Sequence, residues 1–140
     1  MEKGLELKSH RLKLVIFDLD GTLIDSAKDI GRSVNEVRRH LSLSPLTLKK
    51  ITGYIGGGIP KLIERAFSDA TEAEKRHAHL LYPTIYRHNL VGFTRPFCGV
   101  VPTLQELKRL GVTLSILTNK PLTESLMILN GLGLRHFFDD

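Results

Sequence analysis

The chain has 140 residues, 25% of them charged and 41% hydrophobic, and a formal net charge of +5. That size and balance describe a globular protein of one ordinary domain or two small ones. The single cysteine, Cys98, excludes an internal disulfide and a cysteine-cluster zinc site, and no apolar run approaches the roughly 20 residues that span a bilayer.

The first residues, "MEKGLELKSHRLK", mix charges and lack the continuous apolar core of a secretory signal. A cytoplasmic protein without a membrane partner is therefore expected. The basic residues are scattered: Arg38-Arg39, Lys49-Lys50 and Lys75-Arg76 lie in different segments. They predict a solvated surface rather than a nucleic-acid footprint.

In chain order, Leu12 to Phe17 ("LKLVIF") predicts a short buried strand. A helix follows from Ser26, with Asp29 three residues on as a capping-box-like pair. Its apolar positions are Ile30, Val34, Val37 and Leu41, and Ser44-Pro45 ends it. A short helix is expected from Thr47 to Gly53. Gly56, Gly57 and Gly58 make a flexible turn, and Pro60 suits the first position of the next helix, whose stripe is Leu62, Ile63, Ala66 and Phe67. Thr71 and Glu74 form a second capping-box pair. The helix they open is expected to face inward with Leu80, Leu81, Thr84 and Ile85.

After "VGFTRPFCGV" the pattern changes. Pro102 is expected to begin a helix carrying Leu104, Leu107 and Leu110, closed by Gly111. "VTLSILTN" predicts a second apolar strand. Pro121 opens a helix with Leu122, Leu126 and Leu129 inside, and Phe137-Phe138 suggest a further strand. Two apolar strands separated by helices predict a parallel α/β sheet. The stretch from Ser26 to Gly92, too long for a simple crossover, predicts a helical insertion.

Two strand ends carry chemistry. In "FDLDGT" Asp18 and Asp20 are two apart, so both carboxylates project to one side of the strand end. Ligands of parallel sheets sit at that end. Two carboxylates there attract a hard cation such as Mg2+ and can divide the work of nucleophile and proton carrier. Gly21 permits the sharp turn and Thr22 ties the loop locally. Asp-Gly alone marks only a turn; behind an apolar strand the longer pattern is more specific. In "ILTNK", Thr118 and Asn119 precede a helix start, which makes an anion cradle, although the same pair could be a plain N-cap.

These stretches resemble the haloacid dehalogenase (HAD) superfamily, most closely its phosphoglycolate phosphatase-like branch. "VIFDLDGTLIDS" is similar to the first family motif and "ILTNKP" to the second. "GYIGGGIPKLIERAF" resembles the cap loop, and "TRPFCGVVPTLQELKRLG" the return to the core, with Cys98 where proline is usual. The resemblance implies a Rossmann-like parallel core, incomplete at its C-terminal end, with an inserted helical cap: core 1–25, cap 26–92, core again 93–140. It implies Asp18 as nucleophile, Asp20 as proton donor and acceptor, and Mg2+ between the Asp18 carboxylate, the Asp20 backbone carbonyl and the substrate phosphate. Thr118 and the Asn119 amide would hold phosphate oxygens, and Gly56, Gly57 and Gly58 would help select the leaving group.

The implied partner is a small phosphate ester, 2-phosphoglycolate above all; sugar phosphates, nucleotides and pyrophosphate are the other classes such caps accept. The family also uses a third-motif lysine and a fourth-motif acidic pair, and this sequence stops short of both. Lys120 follows the phosphate loop directly and is expected to point away from that lysine's place. Asp139-Asp140 are expected at a strand beginning, remote from the mouth. Two readings follow: a phosphatase, or a non-catalytic remnant that binds phosphate or Mg2+.

Overall fold

In the computed structural model, which describes residues 12–139, a short parallel pair carries the two motif-bearing strand ends. β1 (Leu14–Phe17) lies beside β4 (Thr113–Ile116), with Leu14 opposite Thr113 and Phe17 opposite Ile116. Residues 1–11, the start of the expected first core segment, and Asp140 lie outside the described residues.

Period-2 alternation gives this pair two unlike faces. Val15, Phe17, Leu114 and Ile116 share the face that packs on the core, with Leu114 fully buried. Phe138 meets Phe17 edge to face at 6.5 Å between ring centroids. Leu14 and Ile16 turn to the other face and are 48% and 54% exposed. β1 is thus half exposed rather than the buried strand expected, because no described helix covers that face.

After β1 the chain builds a unit of four helices: α1 (Ala27–His40), α2 (Leu48–Thr52), α3 (Gly58–Ala66) and α4 (Glu72–Asn89). α1 packs along α4 and against α2, and α3 packs on α4. The chain enters this unit through β2 (Ile24–Asp25) and leaves it through β3 (Arg95–Pro96), which pair antiparallel. These two-residue strands were not expected, being too short to leave a periodic signal. Beyond them come α5 (Val100–Arg109), β4, α6 (Leu122–Gly131) and a 3-10 turn at Arg135–Phe137.

The buried apolar residues of the four helices (Val34, Val37, Ile51, Ile63, Phe67, Ala78) and those of the sheet side (Leu104, Val112, Leu114, Ile128, Leu134) form one continuous core. Within the helical unit Arg38, only 1% exposed, forks onto both carboxylate oxygens of Asp69 at 2.9 and 2.7 Å. It also donates to the Ser44 and Ala66 carbonyls. Each of its three guanidinium nitrogens thereby has a partner, as a buried guanidinium requires.

Local signals succeed where the partners are local. Thr71 and Glu74 form the full capping box, Thr47 caps α2, and Gly111, at φ +74°, closes α5. Pro60 and Pro102 sit third in their helices, not first, because Gly58 and Val100 already have helical bonding. Ser26 and Asp29 form no capping box. The Ser26 hydroxyl donates to Asp20, and Asp29 is taken by the backbone of Phe93 and Thr94. On α4 the buried positions are Ala78, Tyr82, Tyr86 and Asn89, whereas Leu80 and Thr84 face out. On α6 Leu122 is exposed, and Glu124, Ser125, Ile128 and Leu129 are buried. Phe137-Phe138 enter a 3-10 turn before the backbone extends at Phe138.

Candidate active site

The β1–β4 register positions the two motifs. Phe17 pairs with Ile116, and the Leu117 amide donates to the Phe17 carbonyl at 2.8 Å. Asp18 and Thr118 therefore leave neighbouring strand ends on the same edge of the sheet, where a parallel pair opens its ligand crevice. After Asp18 the chain folds back tightly: the amides of Thr22, Leu23 and Ile24 all donate to the Leu19 carbonyl. Gly21 makes that reversal possible at φ +78°.

A cavity of about 40 Å³ opens at this edge. Asp18, Asp20, Thr118, Asn119, Gly56 and Gly58 all line it, together with Lys120. Gly57, Gly21 and Thr22 are not part of its wall; the last two shape the loop behind it. From the helical unit, Ile30, Ile55, Ile59 and Leu62 supply apolar wall, and Tyr82 and Tyr86 close one side.

The contacts are specific. Asp18 accepts the Leu19 amide at 2.7 Å. Asp20 accepts the Ser26 hydroxyl at 2.6 Å, and the Lys120 ammonium at 2.9 and 3.1 Å. The Thr118 hydroxyl accepts the Lys120 amide at 3.2 Å, which leaves its own proton to donate. The Asn119 side chain donates to the Gly56 carbonyl at 2.8 Å. A Cβ on Gly58 would stand 3.3 Å from the Asn119 carbonyl oxygen, so the glycine turn is pressed directly against the second motif.

Lys120 corrects an expectation. It points into the site, not away, donating to the Tyr86 hydroxyl at 2.7 Å as well as to Asp20. α6 begins only at Leu122, and Pro121 is extended (φ −57°, ψ 143°), so Lys120 belongs to the loop and its direction is not set by the helix. A buried carboxylate within reach then decides where an ammonium goes.

Tyr82 and Tyr86 were not singled out in the sequence. Their rings stack at 5.4 Å. Burial first, and then the Asp20 charge, push both hydroxyls far above the usual tyrosine range, so they stay protonated donors. Their i, i+4 spacing was a usable signal for a shared helix face. Asp139 lies elsewhere. Its amide bonds the Leu114 carbonyl and its carboxylate accepts the Leu114 amide and Lys108, near the start of β4.

The donor types suit Mg2+, which takes hard oxygen ligands and often only one or two carboxylates, with water and substrate phosphate completing the shell. The Asp18 carboxylate and Asp20 carbonyl are of that kind. The Asp20 carboxylate is already engaged by Ser26 and Lys120. Among the described residues no three His, Cys, Asp or Glu side chains gather into a metal cluster. Nor is any described helix long and apolar enough to cross a membrane.

Comparison with known proteins gives the family. Residues 15–140 match the family model described as haloacid dehalogenase-like hydrolase. The phosphoglycolate phosphatase of Agrobacterium fabrum is 36% identical over 129 residues, covering 89% of this chain and 55% of that protein. That of Aquifex aeolicus is 36% identical, covering 91% and 59%. The crystal structure of a predicted phosphoglycolate phosphatase from Haemophilus somnus superposes with a TM-score of 0.88 at 31% identity, covering 94% of this chain and 62% of that one. The chain thus spans somewhat over half the length of the curated relatives it matches. With the family match running from β1 to the last residue, the chain belongs to the haloacid dehalogenase-like hydrolases.

Proposed function

We propose that the protein hydrolyses a small phosphate monoester, most like 2-phosphoglycolate to glycolate, with Asp18 as nucleophile. The observation that carries this reading is the convergence of Asp18, Asp20, Thr118 and Asn119 on one cavity at the carboxyl edge of the parallel pair. The substrate is supported by the names of the curated relatives at 36% identity.

In this reading residues 12–25 and 93–139 are core, and residues 26–92 are a cap closing over the site. An Asp18 carboxylate oxygen attacks phosphorus as the bond to the leaving oxygen breaks, giving a phospho-aspartyl group. Asp20 delivers a proton to that leaving oxygen, then takes one from the water that attacks phosphorus and releases Asp18. The Thr118 hydroxyl and Asn119 amide hold the equatorial phosphoryl oxygens where charge builds. The Asp18 carboxylate and Asp20 carbonyl would hold Mg2+, which would supply neutralisation of phosphoryl charge. The apolar wall from Ile55, Ile59 and Leu62 excludes water from the reacting centre. The glycine turn at Gly56–Gly58, seated on Asn119, limits the space for the leaving group.

A second reading, a protein that binds phosphate without turning it over, draws support from the absence of a third carboxylate beside Asp18 and Asp20 among the described residues. One assay separates the two. The purified chain with Mg2+ and an aryl phosphate should release phosphate, and Asp18→Asn should reduce the rate at least about a thousandfold, the scale of losing a nucleophile. A flat trace from a folded sample overturns the phosphatase reading.

A further inference from the structure

Lys120 sits where the cap meets the catalytic loop. Its ammonium has three N–H donors and no acceptor, and three contacts take them: two to the Asp20 carboxylate and one to the Tyr86 hydroxyl. The surroundings are dry, with the Lys120 side chain 4% and the Asp20 side chain 13% exposed. Each end is fixed in turn. Ser26, at the entry to the helical unit, holds Asp20, and Tyr86 is stacked on buried Tyr82 within α4. The backbone of Lys120 is tied to the Thr118 hydroxyl. In a dry site an ammonium that loses one acceptor turns to find another, because a buried donor left unfilled is costly. Neighbours sharing such a network do not respond independently.

We propose that Lys120 is a positioning residue that couples the seating of the cap to the orientation of the Asp20 carboxylate. With the cap down, Tyr86 anchors the ammonium, and the anchored ammonium holds both Asp20 oxygens. When α4 lifts, Lys120 loses Tyr86 and Asp20 loses its fixed direction, so the proton-transfer group is aimed only when the cap is closed. The inference rests on Asp20 as the proton-transfer group of the proposed phosphatase. The coupling itself is a property of three side chains and can be measured without turnover.

The Gly21 and Thr22 amides, bonded to the Ile24 and Leu19 carbonyls, report the order of the catalytic loop. Tyr86→Phe deletes the hydroxyl and keeps the ring stack. Hydrogen exchange followed by NMR should quicken at these two amides by about tenfold, the worth of one hydrogen bond to a charged group. On a Lys120→Met background, Tyr86→Phe should change them less than about twofold. Unchanged exchange in Tyr86→Phe, or the same tenfold rise without Lys120, overturns the coupling. If Lys120→Met fails to fold, the single variant still decides: no acceleration at Gly21 and Thr22 overturns it. Where the chain turns over an aryl phosphate, Tyr86→Phe should lower kcat about tenfold and leave KM within about twofold; an unchanged kcat overturns the proposal. Absence of turnover in the parent chain counts against the phosphatase reading and leaves the exchange comparison standing.

Discussion

Asp29 shows how one residue joins distant parts of the chain. It is fully buried, and its carboxylate accepts the Phe93 and Thr94 amides and the Thr94 hydroxyl at 2.7–3.0 Å. Three donors depend on one acceptor group, and removing that group leaves them unpaired in a dry place. Asp29→Ala should therefore lower the stability by about 3 kcal/mol in urea denaturation, with Asp29→Asn intermediate because its amide oxygen still accepts. A loss below about 1 kcal/mol would show that water reaches those donors. The sequence suggested a local cap for Asp29, since Ser-x-x-Asp is a local pattern. Its true partners lie 64 and 65 residues away, and no local pattern encodes them. Lys120 was misjudged for the same reason: Asp20 is 100 residues distant. Asp18, Asp20, Thr118 and Asn119 were legible because each follows an apolar strand, and strand ends of a parallel sheet share one edge.

At the scale of elements, α4 separates what was legible from what was not. Its start was readable, because Thr71 and Glu74 satisfy one another across three residues. Thr71→Ala should cost about 1 kcal/mol in thermal or urea unfolding, the usual worth of a helix cap. Its inner face was not readable. A ranking by hydropathy favours Leu80 and Leu81, yet the face that packs carries Ala78, Tyr82, Tyr86 and Asn89. The tyrosines win because each brings a large ring to the interior while its hydroxyl can meet polar groups of the cavity, where Tyr86 finds Lys120. Leu80 is 76% exposed, so Leu80→Lys should shift stability by less than about 0.5 kcal/mol. A larger loss would place Leu80 in the core after all. α1 was the easier case, with Ile30, Val34 and Val37 buried at the spacing the sequence shows.

At the scale of the whole molecule, the described residues cover the parallel pair on one face and leave the other bare. Leu14 and Ile16 stand half exposed beside Leu117, which is 75% exposed. Parallel sheets are ordinarily covered on both faces, and contiguous apolar surface of this kind promotes association. Ile16→Lys should lower self-association in sedimentation velocity while changing stability by less than about 1 kcal/mol, since the position sits on an exposed strand face. Unchanged association would mean that another surface governs it. The α/β class and the helical insertion were both legible from the long gap between two apolar strands, whereas this bare face was not, because burial depends on neighbours a strand pattern does not name. The β2–β3 ladder has a consequence for how such molecules diversify. Asp25 and Arg95 are opposite partners in an antiparallel pair, so the entry and exit of the helical unit lie about 5 Å apart. A segment whose two ends meet that spacing can be joined there without moving the β1–β4 pair, but one that brings no hydroxyl to the place of Tyr86 leaves the third Lys120 donor unfilled.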